Sequence, residues 1–147
     1  EAIRLYTDED MSTEVLTIKA RQAIDFSAHY DVVDPATREK VGVLQRKGLK
    51  SIFKDEWILM DRTEQEIGLI KEDSALLALA RRLVANLIPQ KYHGEMNGKH
   101  VFTFRQHFNP FVQKVSLDFS PDTNRLLDRR LGIAAAVLLC AVEGRQQ

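Results

Sequence analysis

Leu131-Gly132-Ile133-Ala134-Ala135-Ala136-Val137-Leu138-Leu139-Cys140-Ala141-Val142 is a run with no polar face. A helix that is apolar all round must be buried all round, so whatever surrounds this segment decides the fold. At about 1.5 Å per residue the run spans about 18 Å. That is short of the roughly 20 residues a helix needs to cross a bilayer, and a transmembrane tail is the weaker reading. Gly132 and the alanines keep the rod thin, which suits a sheet curled around it.

The preceding residues supply the strands for such a sheet. Three times an alternating segment meets a polar turn and a second alternating segment, the pattern of a half-buried hairpin. Ile3 to Thr7 runs through Asp8-Glu9-Asp10 into Val15 to Lys19, and Phe26 to Val33 runs through Asp34-Pro35-Ala36-Thr37 into Val41 to Lys47. Trp57 to Met60 turns through Asp61 to Gln65 into Ile67 to Lys71. The outer two units align as a weak internal repeat, although a shared alternation rule produces the same likeness without duplication. A fourth hairpin joins Tyr92 to Met96 and Lys99 to Phe108 through Asn97-Gly98, the preferred pair for a type I′ turn. In its second strand Phe102, Phe104 and Phe108 are expected on the core face, with Val101, Thr103, Arg105 and His107 on the other. Pro110 separates a last strand, Phe111 to Phe119, with Phe111, Val115, Leu117 and Phe119 on one side.

That makes about nine strands in meander order. Ser74 is a suitable N-cap for Ala75 to Ile88, where Leu76, Leu79, Ala80, Leu83 and Leu87 recur at helical spacing before Pro89. The final helix is expected to begin after Pro121. The reading is a mainly β, α+β fold: an antiparallel meander β-barrel enclosing an apolar C-terminal helix, with one amphipathic cover helix, as one domain over residues 1–147.

Composition narrows function by exclusion. The 147 residues carry 21 basic and 21 acidic side chains, so no global field draws the chain onto nucleic acid or an acidic membrane. Exposed-looking aromatic interleaving on a basic face is lacking too, and nucleic acid is not expected as a partner. A single cysteine excludes an intramolecular disulfide, and no basic stretch leads into an apolar one at the start. A reducing, cytoplasmic setting without a signal peptide is expected.

Catalytic chemistry has little to work with. Cys140 lies within the apolar helix, where a thiol behaves as a small hydrophobe. No nucleophile elbow, phosphate-binding glycine loop, dinucleotide fingerprint or His-Glu-x-x-His is present. His29, His93, His100 and His107 occupy separate strand positions without metal-ligand spacing. Asp8-Glu9-Asp10 and Glu72-Asp73 fall at a turn and a helix start, where carboxylates serve the backbone. Arg81-Arg82 and Arg129-Arg130 read as surface charges. No catalytic residue and no cofactor is therefore expected.

One segment leans toward binding. Arg38, Lys40, Arg46, Lys47, Lys50 and Lys54 face Glu39 as the sole carboxylate between positions 38 and 54, with Leu49, Ile52 and Phe53 interleaved. Such a patch suits phosphate headgroups, with apolar residues dipping into the interface. A solvated strand edge protected by lysines explains the same charges.

Five stretches resemble the prokaryotic branch of the tubby C-terminal-like superfamily, which includes tubby proteins, phospholipid scramblases and LURP-one-related proteins. They are Tyr30 to Asp34, Val41 to Ser51, Asp55-Glu56-Trp57, Phe108-Asn109-Pro110-Phe111 and Leu127 to Leu131. The order of hairpins, amphipathic helix and apolar terminal helix is similar too. The resemblance implies a twelve-stranded barrel around the last helix, of which this chain would lack N-terminal strands. It also implies phosphoinositide binding through basic residues, although the family's ligand residues do not match position by position; Arg46, Lys47, Lys50 and Lys54 are chosen on charge.

Scramblases carry an EF-hand-like calcium segment before the final helix. Asp118, Ser120, Asp122 and Asn124 repeat the alternate spacing of such a loop here. Thr123 stands where the loop wants glycine, Arg129 where it wants glutamate, and Pro121 stiffens it, so a strand end plus helix cap is the competing account. The expected function is a non-enzymatic module for anionic lipid or another phosphorylated partner, cytoplasmic and peripheral to a membrane. The alternative is a protein-interaction or structural domain, pairing through its barrel edges with another chain or itself. Scramblase-like translocation ranks third, because the apolar helix is needed as core.

Overall fold

The computed structural model describes residues 2–21, 28–47, 56–72, 91–107, 111 and 114–143. Nine strands form one sheet: β1 (Ala2–Tyr6), β2 (Glu14–Ala20), β3 (His29–Val33), β4 (Lys40–Arg46), β5 (Glu56–Met60), β6 (Glu66–Glu72), β7 (Lys91–Met96), β8 (Lys99–His107) and β9 (Lys114–Asp118). They lie in chain order, each antiparallel to the next. The single described helix, α1 (Arg129–Glu143), packs against β2, β4 and β9. The expected cover helix over 75–88 lies outside the described residues, as does Phe108.

Alternation sets the inner face. In β5, Trp57 and Leu59 are buried between half-buried neighbours, and in β7 Tyr92, Gly94 and Met96 are buried. Val32, Leu44, Leu59, Ile70, Phe102 and Phe104 join Leu131, Ala134, Ala135, Leu138 and Leu139 in one core. Asn97 and Gly98 have φ of 50° and 72°, as the type I′ reading requires.

Asp8, Asp61 and Asp122 each open the same kind of turn. Each carbonyl accepts from the N–H three residues on, in Met11 at 3.2 Å, Glu64 at 3.0 Å and Arg125 at 3.1 Å. Each carboxylate accepts from the N–H four residues on, in Ser12 at 3.0 Å, Gln65 at 3.0 Å and Leu126 at 2.8 Å. The third residue takes a positive φ, of 53°, 66° and 51° respectively. The aspartates satisfy backbone donors that a loop would otherwise leave unpaired.

Four expectations are altered. The sheet is not closed: among the described residues nothing joins β9 to β1, so the architecture is mainly β with one helix on an open sheet. An open sheet covers a helix on part of its circumference, and Ile133 is accordingly 39% exposed while Val137, Cys140, Ala141 and Val142 are half-buried. Val101, expected outward, is buried because a bulge in β8 sets Gly94 opposite Phe102 and Glu95 opposite His100. The extra residue interrupts the alternation. The last strand starts at Lys114, leaving Phe111 92% exposed; α1, expected after Pro121, does begin after it, at Arg129.

Asp128 is the N-cap of α1. Its Oδ1 accepts the Arg130 N–H at 2.9 Å, and its carbonyl accepts the Leu131 N–H at 3.0 Å. The helix then crosses β4 closely: a Cβ on Gly42 would stand 2.5 Å from the Met60 carbonyl oxygen and 3.1 Å from the Leu131 side chain. A Cβ on Gly132 would stand 2.5 Å from the Phe119 ring. Both sites exclude a side chain by sterics.

A meander puts its connections alternately at two ends. One end holds the turns 7–13, 34–39, 61–65 and 97–98 with the start of α1. The other is the end at which β2, β4, β6 and β8 finish and the longer connections depart, with the end of α1.

Candidate functional site

Arg46 and Lys47 sit at the end with the longer connections. The Arg46 N–H donates to the Ala28 carbonyl at 3.0 Å and the Lys47 N–H to the Glu56 carbonyl at 3.1 Å, which fixes the strand end between its neighbours. The Lys47 Nζ donates to Glu56 Oε2 at 3.1 Å. The Arg46 guanidinium stands 6.0 Å from the centroid of Trp57, whose ring lies 5.8 Å from that of Tyr30. Tyr30 in turn lines an apolar opening of about 80 Å³ with Ile3, Ile18, Ala20, Leu138, Ala141 and Val142. Two cations, two aromatic rings and an apolar mouth are thus contiguous.

Lys50 and Lys54 lie outside the described residues, in the connection that follows Lys47. Arg38 and Lys40 are not part of the same patch. The seven residues of β4 separate Lys40 from Arg46 by about 20 Å of extended chain. The four described cations therefore divide between opposite ends of β4.

Lys40 belongs instead to a charge cluster on the outer face that the sequence reading missed. The Arg21 Nε donates to Asp31 at 2.8 Å, and its terminal nitrogens donate to Glu64 at 3.1 and 2.7 Å. The Lys40 Nζ also donates to Glu64, and it lies 3.4 Å from Asp31. Asp31 between apolar neighbours in β3 is the one local hint of an outward polar site. Hydrogen bonds from Arg21 and then Lys40 hold the Glu64 carboxyl at about 2, below its ordinary 4.5. Because the folded-state value is depressed, the stabilisation is complete above pH 4.5 and is lost as pH falls toward 2. Glu64→Gln is expected to melt below the parent at pH 7, with the gap closing by pH 2 to 3 in thermal unfolding scans. A gap unchanged across that range would contradict the assignment.

Between two turns and the start of α1 lies a cavity of about 440 Å³ whose charged lining is Glu39, Lys40, Asp61, Arg62, Asp128 and Arg130. Three cations against three carboxylates give it no sign with which to select a charged ligand. The Arg130 terminal nitrogens reach Asp34 at 2.8 Å and Asp128 at 2.7 Å, tying the helix start to the β3–β4 turn.

Two of the four calcium candidates, Asp118 and Asp122, are turned onto backbone donors. Asp118 accepts from the Ser120 N–H at 2.8 Å and Oγ–H at 2.9 Å. The buried Asp122 carboxylate accepts from the Leu126 N–H at 2.8 Å, the Leu127 N–H at 3.0 Å and Arg129 at 2.8 Å. Burial pushes its carboxyl up, yet those donors together hold it below the ordinary carboxylate value. Arg129 also stacks 4.5 Å over the Phe119 ring, so a guanidinium stands beside the central aspartate. Ser120 and Asn124 are exposed. Among the described residues no three His, Cys, Asp or Glu side chains converge as a metal site would need. Burial raises the Cys140 thiol to about 11, which keeps it protonated at neutral pH.

No described helix is long and apolar enough to cross a membrane. No protein-family model matches the chain, and no curated protein and no solved structure matches it.

Proposed function

We propose that the chain is a non-enzymatic binding module for anionic, phosphate-bearing headgroups at a membrane surface, engaged by Arg46, Lys47, Lys50 and Lys54. The observation that carries this reading is the contiguity of Arg46 and Lys47 with Trp57, Tyr30 and the apolar mouth at one end of the sheet. Lys47 is held by Glu56 in a surface pair, and such pairs are worth only about 0.2–1 kcal/mol. A phosphate exchanges for that carboxylate at little cost. The tubby-like resemblance supports the same ligand chemistry.

The test is co-sedimentation with liposomes, comparing neutral vesicles with phosphatidylserine- or phosphoinositide-containing ones at about 0.05 and 0.3 M salt. Binding is expected on anionic vesicles only and should weaken with salt. Lys47→Glu combined with Lys50→Glu is expected to keep the parent's circular dichroism and lose vesicle binding by about tenfold or more. No binding at low salt, or equal binding by the double variant, would overturn the reading.

A further inference from the structure

The open sheet has two edges, β1 and β9, and among the described residues neither has a second neighbour. A free edge offers a row of backbone donors and acceptors to any strand that fits. The two edges differ in what they fit.

β9 reads Lys114-Val115-Ser116-Leu117-Asp118, and this pentapeptide is complementary to itself. When two copies run antiparallel about Ser116, Lys114 of each stands opposite Asp118 of the other. Val115 stands opposite Leu117, and Ser116 opposite Ser116. Alternation places the charged and serine pairs on one face and both apolar pairs on the other. Opposite charges and apolar pairs directly across a ladder are favourable, and like charges are not. One two-fold axis through the Ser116 pair generates each of the other pairs twice, as a closed dimer requires.

The charged and apolar side chains are available for it, while the Ser116 Oγ lies 2.9 Å from His107 Nε2 on the β8 side. Lys114 and Ser116 are exposed, and Lys114 has no ion-pair partner among the described residues. Asp118 spends one acceptor site of each oxygen on Ser120 and retains others for an ammonium. Val115 is 38% exposed, and an opposing Leu117 would cover it.

The other edge is not self-complementary. β1 reads Ala2-Ile3-Arg4-Leu5-Tyr6, and the same operation sets Arg4 against Arg4. Pairing β1 of one copy on β9 of another centres Arg4 on Ser116, matches no opposite charges, and propagates as an open chain rather than closing.

We propose that the chain forms a two-fold homodimer by antiparallel pairing of β9 with β9 of a second copy, which joins the two sheets into one. This stands apart from the headgroup reading and does not depend on it. The test is sedimentation velocity on the full chain at about 100 µM, with dissociation constants compared by dilution. The parent is expected to be a dimer. Lys114→Asp and Asp118→Lys each bring like charges together at both ends of the ladder and should each weaken the dimer about tenfold or more.

An equimolar mixture of the two variants restores opposite charges at both ends, so it should form a heterodimer. The double variant Lys114→Asp/Asp118→Lys should regain the homodimer. Since Asp118 also holds the Ser120 turn, Ser116→Cys in a Cys140→Ala background gives a separate reading. A short bismaleimide should join the two cysteines into a covalent dimer, because opposed Cβ atoms lie about 4.5–5.5 Å apart. A monomeric parent, a dimer indifferent to Lys114→Asp, or no crosslink through position 116 would each overturn the proposal.

Discussion

Asp122→Ala is expected to destabilise the fold by about 3 kcal/mol. The carboxylate is 1% exposed and accepts the N–H groups of Leu126 and Leu127. Leu127 is itself 2% exposed, so its N–H has no water to turn to when the carboxylate is gone. Hydrogen bonds to a charged acceptor contribute roughly 1.5–3 kcal/mol each, and an orphaned buried donor bears its full desolvation penalty. Arg129 is 36% exposed and can rehydrate, which keeps the loss at the lower end of the range for a broken buried pair.

In a chain of this size about 3 kcal/mol lowers the melting temperature by about 6–12 °C. Asp122→Asn retains an acceptor without the charge and should fall between the two proteins. The pH dependence has a definite sign. The folded-state pKa lies below the ordinary 3.8, so the contribution is present above that value and fades as pH falls below it. Urea unfolding at pH 7 and pH 3 checks both points. A loss under about 0.5 kcal/mol at pH 7 would remove the buried-acceptor role.

Leu131→Ala should cost about as much, in the range of 2–5 kcal/mol found for buried leucines. Leu131 is 1% exposed and rests over Gly42, at the point where α1 crosses β4. Removing its branch loses the transfer free energy and leaves a void that a rigid strand cannot fill. The strand cannot grow to meet it either, since a Cβ on Gly42 would come 2.5 Å from the Met60 carbonyl oxygen. Gly42→Ala is therefore expected not to rescue Leu131→Ala. Chemical denaturation of the single and double variants decides this, and recovery of stability in the double variant would mean that helix and strand separate more readily than the crossing implies.

The candidate binding site was legible in part. Charge alone picked out Arg46 and Lys47, because a run of cations is visible in any window of sequence. That Lys40 is remote from them follows from the length of β4, and that Lys40 serves Glu64 follows from a turn more than twenty residues later. Arg21 meets Glu64 across 43 positions and Arg130 meets Asp34 across 96. No local pattern encodes such pairs, since outward charges alternate on strands whether or not they meet. The Asp122 site shows the opposite case: its oxygen-bearing spacing looks like a cation loop in sequence, and only the folded chain turns the Asp118 and Asp122 carboxylates onto backbone N–H groups.

By itself the sequence determined the strands, their pairing order, the Asn97-Gly98 turn and the terminal helix. Each of these follows from a period, a dipeptide or an apolar run within about ten residues, and short-range backbone sterics act on that scale. Tertiary structure alone decided that the sheet stays open among the described residues, that a bulge carries Val101 inward, and that α1 presses on Gly42 while Ile133 remains partly exposed. These depend on how far the sheet coils and in what register its strands lie. Both are settled by the summed packing of nine strands on one helix, where no single segment holds the answer.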